Sequence, residues 1–280
     1  MIKSKRLVGS LLLLFCLFNT AVWAAVERVE VSHYSNFLEK EQKFYLYYPN
    51  NYDPVKSYPV LYLLHGASGN YQSWATFPEL PRHLEQFEMF VVLPEGGKFG
   101  WYLDSSLVED SQYESYLVKE LIPYIDQKYN TESTRTGRGI CGLSMGGHGA
   151  VTLALKHPAL FGSASSMSGI LDLTRHPQSW EIWRLLGMFK DNKENWEANS
   201  ALSLIQTKPV QPFALFISCG FDDFAFQENR EFHKVLQEKQ ISHFYVEHQG
   251  THSSNYWRDH TKEHLLFHEL AFQKFFPESL

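Results

Sequence analysis

Arg138-Gly139-Ile140-Cys141-Gly142-Leu143-Ser144-Met145-Gly146-Gly147-His148-Gly149-Ala150 is the stretch that decides the fold. It contains Gly142-x-Ser144-x-Gly146 between an apolar run and a run rich in small residues. A serine framed this way sits on a sharp strand-to-helix turn, with its hydroxyl held clear of the backbone. Such a turn needs strained backbone angles, and a side chain at either glycine would strike the adjoining strand or helix. Alone the motif is weak: at ordinary Gly and Ser usage a chain of this length holds about 0.1 chance matches. What surrounds it decides.

Around the turn, apolar runs alternate with helical stretches. Residues 58–64, 89–93, 139–143, 163–168, 213–218 and 243–247 read as strands. Continuous apolar runs bounded by turns suit parallel strands covered on both faces. Residues 26–31 and 43–48 alternate in polarity and read as antiparallel edge strands. Helices are expected over 73–86, 111–129, 145–156, 226–239 and 257–276; within 111–129, Tyr113, Leu117, Leu121 and Tyr124 recur at helical spacing. The alternation predicts an α/β domain, with a mostly parallel sheet, antiparallel N-terminal edge strands and helices on both faces. Residues 170–212 carry Trp180, Trp183 and Trp196 and read as a small helical insertion over the carboxyl edge of the sheet. No repeat, low-complexity tract or linker divides residues 25–280, which read as one domain.

Residues 1–24 read as a secretory signal peptide. Lys3, Lys5 and Arg6 precede an apolar run from Leu7 to Phe18, and Val22-Trp23-Ala24 offers small residues for cleavage before Ala25. The apolar run is shorter than the roughly 20 residues a spanning helix needs, so a membrane anchor is not expected. A secreted or periplasmic location follows as an expectation. Removing those three cations takes the formal charge from −6 to −9, which argues against nucleic acid or an anionic membrane as a partner. Cys141 and Cys219 end two apolar strands with a third strand expected between them. Strands lie about 4.8 Å apart, so the gap exceeds a disulfide's reach and two free buried thiols are expected.

A serine hydroxyl becomes a nucleophile when a neighbouring base takes its proton, and histidine is the base suited to neutral pH. A buried carboxylate then holds the imidazole and stabilises its charged form. In a sheet of this kind the chain order is serine, acid, histidine. Ser144, Asp223 and His252 supply it, each just beyond the carboxyl end of a strand, where ligands bind in such sheets. Asp222 competes for the acid; His248 and His260 compete for the base, one at the end of the last strand and one within the closing helix. An oxyanion hole needs two backbone N–H groups. Met145, after the serine, offers one, and Ala67, after His65-Gly66, offers the other. His260, His264 and His268 recur every fourth residue. Ligands on one helix face rarely complete a coordination sphere, so they read as a polar helix face and no metal is expected. No phosphate loop or Cys-x-x-Cys pair occurs, and no cofactor is implied.

Five separated motifs, in order, resemble the esterase D-like esterases. They are Tyr62-Leu63-Leu64-His65-Gly66-Ala67-Ser68-Gly69-Asn70 with Trp74; Gly100-Trp101-Tyr102-x-Asp104; Gly142-Leu143-Ser144-Met145-Gly146-Gly147; Cys219-Gly220-x-x-Asp223-Phe224; and Gly250-Thr251-His252 with Tyr256-Trp257. The likeness spans about residues 40–275 and is closest to the short-chain, or tributyrin, esterase branch. It implies an α/β-hydrolase fold and a serine carboxylesterase acting on a small-molecule ester without a cofactor. It favours Asp223 over Asp222, supports His252 as base and Ala67 and Met145 as oxyanion donors, and implies that Trp101 and Tyr102 lie near the acyl pocket. The family commonly has a larger residue where Ala67 stands, which implies a roomier or differently shaped pocket. Within the same chemistry, an S-formylglutathione hydrolase-like thioesterase, a feruloyl or acetyl-xylan esterase and an acyltransferase are the alternatives; a catalytically dead fold used for binding is the reading outside it. The sequence sets neither acyl length nor oligomeric state.

Overall fold

The computed structural model describes residues 26–274. The expected signal peptide and the last two residues expected in the closing helix lie outside them. Eight strands form one sheet: β1 (Arg28–Ser35), β2 (Lys40–Tyr47), β3 (Val60–Leu64), β4 (Phe90–Pro94), β5 (Arg138–Leu143), β6 (Ser163–Met167), β7 (Ala214–Gly220) and β8 (Phe244–His248). Their order is β1-β2-β4-β3-β5-β6-β7-β8. The pairs β1–β2 and β2–β4 are antiparallel and the others parallel. The sheet is therefore mostly parallel with an antiparallel N-terminal edge. The chain runs outward from β3 to β4, then returns to place β5 on the other side of β3. That reversal opens a crevice beyond the carboxyl ends of β3 and β5.

The central strands are buried along their whole length, and their side chains alternate between two cores. Tyr62, Leu64, Phe90, Val92 and Ile140 enter one; Leu61, Leu63, Val91, Leu93, Cys141 and Leu143 enter the other. Period-two alternation in an all-apolar strand requires cover on both faces. Helices supply it. α1 (Leu80–Leu84) is followed by α2 (Tyr113–Ser115), α3 (Ile122–Lys128), α4 (Met145–Lys156), α5 (Ile182–Leu186), α6 (Lys193–Ala198), α7 (Ala201–Thr207), α8 (Phe226–Glu238) and α9 (Ser254–Phe272). Helices α3, α4 and α8 cover the first core, and α1 and α9 the second.

Two expected helices differ from the sequence reading, each because of proline. Residues 73–86 form a 3-10 turn at Ser73–Thr76 and then α1. Phe77, before Pro78, is extended at φ −82° and ψ 107°, as a residue preceding proline prefers. In 111–129, α2 and α3 are joined by a π-helical segment, Tyr116–Leu121. The Ile122 N–H reaches back to the Leu117 carbonyl, and the next residue, Pro123, has no N–H to continue the ladder. Residues 170–212 hold a 3-10 turn and α5 to α7.

Cys141 on β5 and Cys219 on β7 are free and buried, with β6 between them. Burial pushes the Cys141 thiol up to about 12, so neither packing nor acidity prepares it to react. The histidines of α9 correct the expectation of a polar face. His264 and His268 are 1% and 0% exposed. His268 lies 2.8 Å from Ser163 Oγ through Nδ1 and 2.9 Å from Ser165 Oγ through Nε2. His264 Nε2 lies 2.9 Å from Ser218 Oγ, with its ring stacked on Phe216. The small residues of β6 and β7 leave room for these rings, and their hydroxyls meet both nitrogens of His268 and one of His264, whose Nδ1 is buried without a partner. Burial pushes His268 down to about 3 and holds His264 well below the usual range.

Candidate active site

Three loops meet in the crevice. The first is the turn at Ser144, between β5 and α4. Ser144 has φ 54° and ψ −117°, a conformation that costs a non-glycine residue of order 1–3 kcal/mol. The glycines explain how it is held. A Cβ on Gly142 would stand 2.1 Å from the Gly146 carbonyl oxygen, and one on Gly146 would stand 2.2 Å from that of Leu64. The turn is thus packed tightly against both α4 and β3. The Ser144 N–H donates to the Met167 carbonyl, and its own carbonyl accepts from the His148 N–H. Ser144 is 8% exposed.

The second loop follows β7. Asp223 is 5% exposed, and its Oδ1 accepts from the Ala225 N–H at 2.8 Å. The third follows β8 and carries His252; the Asp222 N–H donates to the Gly250 carbonyl and ties the two loops together. His252 Nδ1 stands 2.9 Å from Asp223 Oδ1 and 3.0 Å from Oδ2, while Nε2 stands 2.9 Å from Ser144 Oγ. A carboxylate accepts only, so Nδ1 carries the proton and Nε2 is free to accept from the Ser144 hydroxyl. Asp222 is exposed and accepts instead from Gln249 Nε2. His248 and His260 face Glu263, away from the serine. The choice between Asp222 and Asp223 that the residues alone left open is thus decided by burial and direction.

The loop after β3 brings Ala67 beside this set. A Cβ on Gly66 would meet Leu143 Cδ1 at 2.8 Å and Ser144 Cβ at 3.4 Å, so the loop lies directly against the nucleophile turn. His65 braces it. Its Nδ1 donates to the Gly66 carbonyl at 2.8 Å, and its Nε2 accepts the Gly96 N–H at 2.9 Å. Among the described residues, the N–H groups of Ala67 and Met145 are donated to no acceptor. Met145 opens α4, a helix of 12 residues, whose N-terminal end favours negative charge. Two uncommitted N–H groups beside a nucleophile and a helix terminus can accept a developing oxyanion.

Trp101 and Tyr102, which the resemblance implied lie near the acyl pocket, are buried side chains beside the oxyanion loop and α4. They are 0% and 1% exposed and back the site from below. The Tyr102 hydroxyl donates to the His65 carbonyl at 3.1 Å, and Trp101 packs against His148 and Trp180. His148, buried one turn into α4, is pushed down to about 3 by burial, so it is neutral packing rather than a base. The rings that do reach the surface are Phe224 and Trp180. Phe224 is 56% exposed and lies 4.3 Å from the His252 ring. Trp180 joins Phe224 to Trp101, at 5.8 and 5.6 Å, and Trp257 stands edge-on to His252 at 5.0 Å. Sequence reasoning left Trp180 inside an unread insertion; its signal was only the tryptophan density there. A cavity of about 270 Å³ lies at the opposite end of the sheet, lined by Arg135, Phe213, Ile241 and His243. None of the three loops touches it.

Comparison with known proteins agrees with this geometry. Residues 35–268 match the model of the Esterase family, described as "Putative esterase". An esterase of Mycobacterium tuberculosis is 40% identical over 124 residues, 43% of this chain and 27% of that protein; the match thus spans about a quarter of that relative's length. An acetyl esterase of Caldicellulosiruptor saccharolyticus is 27% identical over 216 residues, covering 71% of this chain and 78% of that one. A solved ferulic acid esterase superposes with a TM-score of 0.77 at 26% identity, covering 89% of this chain and 99% of the other. The architecture is that of the α/β-hydrolase-type esterases, and with the family model matching most of its length, this chain belongs to the Esterase family.

Proposed function

We propose that this esterase cleaves short-chain carboxylic esters through an acyl-enzyme on Ser144. The observation that carries the reading is the 2.9 Å approach of Ser144 Oγ to His252 Nε2, with Asp223 on the other ring nitrogen. Ser144 Oγ attacks the ester carbonyl as His252 Nε2 takes its proton. Asp223 keeps the Nδ1 tautomer and stabilises the imidazolium that forms. The N–H groups of Ala67 and Met145 hold the tetrahedral oxyanion. His252 then returns the proton to the departing alcohol, and water, activated by the same ring, releases the acid. Hydrolysis of p-nitrophenyl acetate and butyrate by the protein and by Ser144→Ala tests this. The variant is expected to lose essentially all turnover, and equal rates would refute the role of Ser144.

A second reading of the substrate, an aromatic acyl ester, is favoured by the Phe224 and Trp180 rings beside His252 and by the likeness to a ferulic acid esterase. Methyl ferulate set against butyrate and acetylated xylan separates the two. The leader-like residues 1–24 support export to the periplasm or beyond, which suits an extracellular ester better than a glutathione thioester. No helix among the described residues is long and apolar enough to cross a membrane. Cell fractionation with and without residues 1–24 tests the location.

A further inference from the structure

His248, His260 and Glu263 converge behind the loop that carries His252, and the proposed reaction uses none of them. Each offers one ligand atom, and these atoms lie within 4.8 Å of one another. His248 Nε2 stands 3.0 Å from Glu263 Oε2, and His260 Nδ1 stands 3.1 Å from Glu263 Oε1. The two rings stack at 3.7 Å and 20°. His248 ends β8, and His260 and Glu263 share one face of α9 at a spacing of three residues. Two elements and two imidazole nitrogens are therefore aimed at the two oxygens of one carboxylate.

We propose that His248, His260 and Glu263 form a binding site for a divalent transition-metal ion of the Zn²⁺ class. Two imidazoles and a carboxylate are ligands that zinc accepts, with a fourth, open position taken by water. Zn–N bonds of about 2.0–2.1 Å in a tetrahedron put neighbouring donor atoms roughly 3.3 Å apart. The observed 3.0 and 3.1 Å separations of the two nitrogens from the carboxylate are near that spacing, and the two stacked rings, 20° from parallel, must turn for both ring planes to contain the ion. The side chains are 21%, 18% and 45% exposed, so an ion and its water can enter without opening the fold. Of the evenly spaced histidines of α9 only His260 takes part, since His264 and His268 point into the core and face serines.

The position gives the ion a consequence. It would join the end of β8 to α9 across the intervening loop, residues 249–253. Tyr256 carries the connection further, because its ring packs 4.6 Å from that of His260 and would meet a Cβ placed on Gly250 at 2.6 Å. Bound metal is thus a clamp on the loop that aims His252 at Ser144. Because binding requires no turnover, the inference stands or falls apart from the ester chemistry.

The test uses protein without a histidine tag, stripped with EDTA, desalted and titrated with Zn²⁺ by calorimetry near neutral pH. One ion per chain is expected, together with a rise in thermal midpoint at saturating Zn²⁺. Glu263→Gln and His260→Ala should each lose affinity by more than the ~10–100-fold that removal of an outer partner costs, and should show little or no thermal shift. His243→Ala, in the separate His233–His243 pair, should bind as the parent does. Both site variants replace partly exposed side chains, and thermal midpoints without metal establish that they fold; if His260→Ala does not, Glu263→Gln decides alone. No stoichiometric binding up to about 1 mM Zn²⁺, or parental affinity in Glu263→Gln, would overturn the proposal.

Discussion

Among the described residues there are four serine–histidine contacts of nearly equal length, in two regions. At the crevice, Ser144 meets His252 at 2.9 Å. Inside the core, Ser163 and Ser165 meet His268 at 2.8 and 2.9 Å, and Ser218 meets His264 at 2.9 Å. A list of distances could not tell them apart. Three features can. Only the His252 ring has a carboxylate on its other nitrogen, only Ser144 sits at a positive φ on a strand-to-helix turn, and His252 is partly open to solvent. The core pairs lack all three, and burial keeps their rings neutral. The contact makes a hydrogen bond; the carboxylate, the strained turn and the access make it a candidate catalyst.

Removing what separates the two regions is the sharpest way to break that contrast. Asp223→Asn leaves the shape but takes away the acceptor that fixes the His252 tautomer, and kcat should fall about 10⁴-fold. Asp222→Asn, one residue away and facing Gln249, should stay close to the parent enzyme. Steady-state kinetics on p-nitrophenyl butyrate checks both.

The core pairs should respond to acid through stability. His148 and His268, held near 3, and His264, held well below its usual range, are neutral when folded. Below about pH 6.5 the unfolded chain takes up protons there and the folded chain does not, so folding weakens as pH falls. The loss should be roughly 1 kcal/mol per ring over the first pH unit and somewhat more over each further unit, until the folded rings titrate. Urea unfolding between about pH 7 and pH 5 measures it, and a flat profile would mean these rings are not buried neutral. His268→Leu should cost about 1–3 kcal/mol, because two buried hydroxyls lose their partner. It should leave kcat of the folded protein unchanged, unlike any change at His252. The smallest effect is expected at Phe224, exposed beside His252. Phe224→Ala should raise KM for an aromatic ester by up to about tenfold, as loss of one apolar contact does, with kcat for acetate esters little altered.

Much of the fold was legible because burial on two faces leaves continuous apolar runs, as at 58–64, and because Gly142-x-Ser144-x-Gly146 admits few other turns. The three loops could be placed because each follows such a run. Position also separated His252 from His248 and His260, which lie on regular elements rather than in the loop. What the sequence hid depends on the third dimension. His264 and His268 look like a polar helix face until the small serines of β6 and β7 are seen beneath them. Trp101 and Tyr102 stand in a loop motif, but both adopt φ 54° and turn inward. Trp180 reaches His252 through Phe224, a path of tilted ring contacts that no spacing encodes.

The account rests on Ser144 being the one nucleophile among four histidine-bonded serines. Labelling the folded protein with a fluorophosphonate probe, followed by intact mass and peptide mapping, tests this most directly. The account predicts a single adduct per chain on Ser144, absent in Ser144→Ala and strongly slowed in Asp223→Asn. Labelling of Ser163, Ser165 or Ser218, or an undiminished adduct in Ser144→Ala, would contradict it.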